Sequence, residues 1–273
     1  MKKLALFILG AAVSLLLPSC FESEVEITLN KDGSGVITET IKFGPKMAGM
    51  MDMAAAQGEE NPLAKMKNAD EARKKAASYG EGVTFVKAAD IKDKNGSKGV
   101  RLTYKFKDIN EIALNPAGGM SSLGNMQGGG IEVEGDAEQK ATFRYTNGRL
   151  IIKVPKPENE EGADEGEEAD IPELDPNDPQ AAMMMEMMKG MKMSAKLVIK
   201  DGISETTATY REGNTVTLLE MNLDEVMKNK DGLGALNKLG KLQGKDPKAA
   251  AEALKKMKGV KAETKEEVVV IVK

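Results

Sequence analysis

Apolar and polar residues alternate in several short stretches of the chain, and each stretch predicts a β-strand with one buried face. The first two stretches are residues 25–29 and 37–43, on either side of a turn. Similar pairs of stretches flank the turns at 93–96 and at Asn147-Gly148. The last turn is the strongest signal, because a two-residue hairpin turn needs positive φ at both positions and Asn-Gly tolerates it. The first half of the chain therefore predicts three hairpins.

Helical signals lie between and after these hairpins. Residues 46–57 are rich in Met and Ala, and Asn61 followed by Pro62 is typical of a helix start, here of a helix that would continue to Gly80. The second half predicts a Met-rich helix over 180–191, strands near 193–199, 205–211 and 215–221, and helices over 223–227, 233–242 and 248–258.

The chain closes with a stretch that is apolar on both faces. Residues 268–272 are five consecutive apolar positions. They favour a central strand, because an exposed apolar edge invites aggregation. Hairpins outnumber crossover units in the whole pattern. We therefore predict an α+β fold in which antiparallel β-hairpins form a sheet that packs against amphipathic helices.

The N-terminus has the pattern of a secretory signal peptide. Lys2 and Lys3 precede fourteen residues, 4–17, that are apolar except for Gly10 and Ser14. A helix that spans a bilayer permanently needs about 20 apolar residues, so this run is too short for one. We assign residues 1–19 as a signal peptide, with a charged start, an apolar centre and a small-residue exit.

The residues Leu17-Pro18-Ser19-Cys20 resemble the lipobox of bacterial lipoproteins, which has a Leu three residues before the Cys and a small residue directly before it. The resemblance implies that the Cys20 thiol receives a diacylglyceryl group and that cleavage makes Cys20 the mature N-terminus. Phe21 rather than Asp follows, which resembles lipoproteins sorted to the outer membrane. We therefore expect a protein of the bacterial cell envelope, anchored to membrane lipid through Cys20. Its place would be the outer membrane if the cell has one, and otherwise the outer face of the cytoplasmic membrane.

The amino-acid composition excludes several kinds of catalytic and metal-binding site. The chain has no His and no Trp, and Cys20 is its only Cys. These absences exclude Ser-His-Asp and Cys-His catalysis, His-ligated metals, disulfides and iron–sulfur clusters. We expect no cofactor and no nucleic-acid partner, since Arg-rich patches with interleaved aromatic residues are missing from the sequence.

Residues 156–180 form an acidic block, with eleven acidic residues against one Lys. Such a Pro-punctuated block cannot bury enough apolar surface to offset its chain entropy, so it predicts a disordered linker or long loop. It would separate an N-terminal α+β region, 20–155, from a C-terminal α+β region, 181–273. The alternative is that the two regions form one domain.

Several turn and strand patterns lie in the mature part of the chain: the lipobox Cys20, the turn 30–35 with its two strands, the stretch 191–200, and the stretch 214–219 that leads into an acidic helix start. In these patterns the chain is similar to the LppM-like family of bacterial lipoproteins. The resemblance implies an extracytoplasmic α+β domain with antiparallel sheet. It brings no catalytic residue to transfer.

Seven Met residues fall within positions 183–193. Thioether side chains are flexible and fill irregular gaps, so we predict that a helical face of Met residues contacts an envelope protein or a lipid ligand. Its members are Met183, Met184, Met187, Met188 and Met191. Met184, Met188 and Met191 line one stripe, and soft thioethers there are alternative ligands for Cu(I).

The sequence therefore favours a membrane-anchored envelope lipoprotein with a non-enzymatic binding or scaffold role and an undetermined ligand. Two alternatives stay open: a Cu(I)-binding protein that uses Met thioethers, and a hydrolase that uses carboxylates or hydroxyl groups. Residues 50–53 carry three more Met residues, which would form a second contact surface.

Overall fold

The structure, a computed structural model, describes residues 21–58, 61–116, 118, 140–154, 189–229, 232, 234–235 and 247–273. The predicted signal peptide, Cys20 and the predicted linker 156–180 lie outside these residues. So do the predicted Met-rich helix before residue 189 and most of the predicted helix over 233–242.

The described residues form thirteen strands, five α-helices and one 3₁₀ turn. The strands are β1 (Phe21–Leu29), β2 (Gly35–Phe43), β3 (Thr84–Lys92), β4 (Lys98–Phe106), β5 (Ala113–Leu114), β6 (Ala141–Thr146), β7 (Arg149–Lys153), β8 (Lys192–Ile199), β9 (Ile203–Thr206), β10 (Arg211–Glu212), β11 (Thr215–Asn222), β12 (Val260–Ala262) and β13 (Glu267–Val272). The helices are α1 (Pro45–Ala56), α2 (Pro62–Met66), α3 (Ala69–Ser78), α4 (Leu223–Met227) and α5 (Pro247–Lys256), and a 3₁₀ turn covers Ile109–Glu111.

These strands form two sheets. The larger sheet has the order β10-β11-β8-β1-β2-β4-β3, with β12 also paired to β11, and the smaller has the order β5-β6-β7-β13-β9. The three predicted hairpins are confirmed as β1-β2, β3-β4 and β6-β7. At the third turn, Asn147 and Gly148 have φ of 50° and 78°. The closing strand β13 lies between β7 and β9, and its predicted central position is confirmed.

One strand pair departs from the predicted antiparallel arrangement. β1 and β8 run parallel, with Glu22 opposite Lys192 and Leu29 opposite Ile199. Two strands joined by a tight hairpin must be antiparallel, but β8 reaches β1 through a long connection that leaves its direction free. The fold is therefore α+β, as predicted, with a larger sheet that is mixed rather than wholly antiparallel.

The larger of two hydrophobic clusters contains inward-facing side chains of both sheets. Along β1 and β2 every second residue is buried, and the buried Ile27 lies opposite the buried Ile37. The same core includes Phe143 of β6 and Leu150 of β7, which belong to the smaller sheet. Strands on both sides of the predicted linker thus contribute to one core.

The helix predicted from Pro62 to Gly80 is wrong, because two helices occupy this stretch. α2 ends at Met66, and Asn68 begins α3 by accepting hydrogen bonds at its Oδ1 from the N–H groups of Asp70 (2.8 Å) and Glu71 (3.4 Å). An Asn side chain that caps the next turn competes with continuation of the preceding helix.

Two of the segments that pass from one sheet to the other lie side by side. β9 belongs to the smaller sheet and β10 to the larger, so residues 207–210 cross from one sheet to the other. Residues 263–266 cross in the opposite sense, from β12 to β13. The single strand predicted near 205–211 is therefore wrong, because the first crossing interrupts it.

Glu263 joins these two crossings. Its side chain is 4% exposed, and its carboxylate accepts hydrogen bonds from the backbone N–H (2.6 Å) and the hydroxyl (2.8 Å) of Thr209. It also accepts from the backbone N–H groups of Thr264 and Lys265, both at 3.1 Å. The buried Glu263 carboxylate thus accepts four hydrogen bonds, and they hold residues 263–266 against residues 207–210.

Candidate binding surface

The structure fixes the position of the residue that follows the predicted lipidation site. Phe21 begins β1 and is 1% exposed. Its ring centroid lies 5.4 Å from that of Phe43, the last residue of β2. β1 lies between β8 and β2 in the interior of the larger sheet. The peptide bond after Cys20 therefore leads directly into a central strand.

Met191 is the one member of the predicted Met face over 183–191 that lies among the described residues. It lies directly before β8, is half-buried, and packs against two separate hydrophobic clusters. Its backbone oxygen accepts a hydrogen bond from the N–H of Leu223 at 3.0 Å, while Asp224 Oδ1 accepts one from the N–H of Gly190 at 2.6 Å. The chain that follows the Met-rich segment is thus held against the start of α4.

The other predicted contact residues lie outside the described residues; they are Met183, Met184, Met187 and Met188. The contact face and the alternative Cu(I) stripe of Met184, Met188 and Met191 accordingly stay predictions.

The second hydrophobic cluster brings Met191 together with Met residues from other elements. Its buried members are Leu223, Val226, Ala250, Met257, Val260 and Ala262. Met191, Met221 and Met227 pack against them. Four flexible thioether side chains from separate segments therefore share one apolar cluster. This grouping could not be predicted from the sequence, in which only the dense Met run at 183–193 stands out.

The second Met-rich segment, residues 50–53, divides between core and surface. Met51 is buried in the core, whereas Met50 and Met53 are 53% and 65% exposed. These two side chains are three residues apart on α1, so they lie on the same face of the helix. Met50 and Met53 are therefore accessible at the surface, whereas Met51 faces the other way; that this segment contacts a partner stays a prediction.

A buried carboxylate lies under α3, on the inward face of β2. Glu39 is buried; Lys75 Nζ forms an ion pair with its Oε1, and the hydroxyl of Tyr79 donates a hydrogen bond to its Oε2 at 3.3 Å. The ring of Tyr104 lies 5.3 Å from that of Tyr79 between centroids. The hydroxyl of Tyr104 is buried and has no hydrogen-bond partner among the described residues.

Both tyrosines in this cluster are held in the protonated form. Burial raises the pKa of Tyr79 well above its usual value, and the neighbouring Glu39 carboxylate raises it further. Burial and Glu39 also raise the pKa of Tyr104. Neither phenol can act as a base near neutral pH. Glu39 and its two partners instead attach α3 to the sheet through charge-assisted contacts.

We expect loss of the hydroxyl to change the free energy of unfolding in opposite directions at the two tyrosines. Tyr79→Phe removes a donor to a buried carboxylate and should lower the free energy of unfolding by about 1.5 kcal/mol. Tyr104→Phe removes a buried hydroxyl without a partner and should raise it by about 1 kcal/mol. Denaturant unfolding of both variants measures the difference. Equal losses in both variants would mean that Tyr104 has a hydrogen-bond partner.

Two kinds of functional feature are absent from the described residues. In this part of the chain, no three Asp, Glu, His or Cys side chains are grouped so that they could hold a metal ion. None of the helices within the described ranges combines the length and apolar character needed to cross a membrane. The hydrolase alternative stays a prediction.

The two sheets, their shared core and the flanking helices define an α+β protein. No protein-family model matches the chain, and no curated protein sequence matches it. Among solved structures, the chain is similar to the folded domain of the LppM protein of Mycobacterium tuberculosis, with 11% identity and a TM-score of 0.30 over 75% of this chain and 84% of that one. This likeness is distant, and at that TM-score it supports no statement about function.

Proposed function

We propose that the chain is a lipid-anchored protein of the bacterial cell envelope with a binding or scaffold role rather than a catalytic one. The observation that carries the proposal is the position of Cys20. It is the only Cys of the chain, it ends the lipobox-like Leu17-Pro18-Ser19-Cys20, and it directly precedes the first strand of the fold.

A lipid group at this position would attach the folded region durably to a bilayer. Each buried methylene contributes about 0.8 kcal/mol, and one acyl chain alone holds a protein only marginally. The two chains of a diacylglyceryl group on the Cys20 thiol satisfy this requirement. Membrane lipid is accordingly the first proposed partner.

The proposed binding role depends on the Met residues. Met191 contributes to a cluster in which several thioether side chains meet, and four further predicted contact residues precede it by three to eight positions. Thioethers adapt to varied apolar shapes. An envelope protein or a lipid ligand with an apolar surface is therefore the class of second partner that these residues suit.

Replacement of Cys20 tests the proposed attachment. We expect Cys20→Ser to abolish incorporation of labelled fatty acid and to move the protein from the membrane fraction to the soluble fraction of lysed cells. Ser19→Ala is the matched control, because it keeps a small residue before the Cys and should remain in the membrane fraction. Retention of Cys20→Ser in the membrane fraction would refute attachment through this thiol.

A further inference from the structure

We propose that the end of the larger sheet at which β1 begins rests on the lipid surface, with Met50 and Met53 of α1 inserted among the head groups. This inference depends on the proposed attachment at Cys20. It adds an orientation and a second contact, formed by side chains rather than by the lipid group.

A lipid anchor at Cys20 would hold the start of β1 close to the bilayer surface. Consecutive Cα atoms are about 3.8 Å apart, so Cys20 lies within one residue of Phe21. Phe21 is buried and paired with Phe43 of β2, and the next residue, Glu22, is paired with Lys192 of β8. The start of β1 must therefore lie at the height of the lipid head groups if Cys20 carries acyl chains.

α1 lies at this same end of the sheet. β2 ends at Phe43, opposite Phe21, and α1 begins two residues later at Pro45. Neighbouring strands are about 4.8 Å apart, so α1 starts close to the proposed anchor. Its Ala48 and Met51 are buried, which directs the opposite face, with the exposed Met50 and Met53, away from the core.

These two side chains are two of the three large apolar residues that are exposed in the described part of the chain. An apolar helix face beside a lipid anchor suits insertion about 5–10 Å below the bilayer surface. The anchor also keeps the face at high effective concentration, so that a weak contact suffices.

The charge at this end of the sheet favours an anionic lipid surface. Six lysines lie on the strand ends, on the β3–β4 turn and on α1: Lys42, Lys46, Lys92, Lys94, Lys98 and Lys192. Acidic residues lie there too: Glu22, Asp52 and Asp93 are each paired with a lysine, and Asp224 and Glu225 lie on α4, directly after the end of β11 that pairs with Lys192. Lys42 contacts Glu22 (2.6 Å) and Asp93 (3.4 Å), and Lys98 contacts Asp52 (2.6 Å). Each Lys near such a surface contributes about 1 kcal/mol.

The far end of the sheet provides the control position. β1 is nine residues long, which corresponds to about 30 Å at the rise of a β-strand. Lys31 lies in the exposed turn that follows β1, and its backbone N–H is fixed by Asp201 Oδ2 at 3.1 Å. A reporter at position 31 is therefore remote from the proposed lipid contact and rigidly held.

Because the chain has no Trp, single tryptophans report the orientation without background. We would prepare Met50→Trp, Met53→Trp and Lys31→Trp in the lipidated full chain, reconstituted into vesicles of phosphatidylcholine and phosphatidylglycerol that contain brominated lipid. All three positions are exposed, so the fold should be retained. We expect quenching to be several-fold stronger at positions 50 and 53 than at position 31, with blue-shifted emission.

Flotation of the same vesicles separates the two proposals. Protein that does not float with the vesicles overturns the lipid attachment itself. Floating protein in which positions 50 and 53 are quenched no more than position 31 overturns the orientation and leaves the attachment intact. Blue-shifted emission without quenching would mean that a second copy of the chain covers α1, and it would also overturn the orientation.

Discussion

Gly80→Ala should lower the free energy of unfolding by about 4 kcal/mol, through backbone strain and overpacking together. Gly80 follows α3 with φ of 141°, a conformation that residues with a Cβ rarely adopt. A Cβ placed there would lie 1.9 Å from the backbone oxygen of Glu111. That oxygen cannot move away easily, because Gly80 is bridged to Ile112 and the Ala113 N–H donates to the Tyr79 oxygen at 2.8 Å.

Gly49→Ala is the matched control for this prediction, since it adds the same methyl group. Gly49 lies inside α1, and a Cβ built on it meets no atom within 4 Å. Glycine in a helix interior costs about 0.5–1 kcal/mol relative to alanine, so this variant should be more stable than the parent protein by that amount. Denaturant unfolding monitored by circular dichroism measures both changes. A Gly80→Ala variant as stable as the parent would contradict the close approach of these two loops.

Glu263→Gln should lower the free energy of unfolding by about 3 kcal/mol, although the side chain keeps its size and shape. One carboxylate oxygen accepts from the Thr209 N–H, and the other accepts from the Thr209 hydroxyl and from two backbone N–H groups. An amide has one oxygen and one NH₂ group. In either orientation, the NH₂ group of Gln would face a backbone N–H that is itself a donor.

The exposed Glu267, four residues further along, provides the control. Glu267→Gln removes the same charge at the surface and should change the free energy of unfolding by less than about 0.5 kcal/mol. Urea unfolding of the two variants at neutral pH makes the comparison. Equal stability of Glu263→Gln and Glu267→Gln would mean that the two crossings between the sheets do not depend on the buried carboxylate.

Features that depend on neighbouring residues could be predicted from the sequence. The three hairpins follow from alternation interrupted by turn residues, and Asn147-Gly148 adopts the positive φ values that its turn requires. The helix break at Asn68 was equally local. Its signal is a second capping residue, Asn68, inside a stretch that otherwise continues the helical pattern begun at Asn61.

Features that depend on distant residues could not be predicted in the same way. The direction of β8 beside β1 depends on a long connection, and alternation carries no information about it. The side-chain partners of Glu39, Lys75 and Tyr79, and the partner of Glu263 across the sheets, Thr209, lie 36 to 54 residues away along the chain. Of the two carboxylates, only Glu39 can be recognised as unusual in the sequence, because it interrupts the apolar face formed by Ile37 and Ile41.

The same division applies to the candidate binding surface. The dense Met run in the sequence singles out Met191. In the fold, Met191 shares a hydrophobic cluster with Met221, Met227 and Met257, which are scattered through the second half of the chain. The exposed pair Met50 and Met53 was predicted as part of a surface. Its place beside the proposed anchor follows only from the pairing of β1 with β2.

Lipid attachment at Cys20 is decided by the mass of the intact protein, extracted from native membranes. A chain that begins at residue 20 and is heavier than its amino-acid sequence by a diacylglyceryl group, with or without a further acyl chain, is the predicted result. A chain that still begins at Met1, or one with an unmodified thiol at Cys20, would contradict the account.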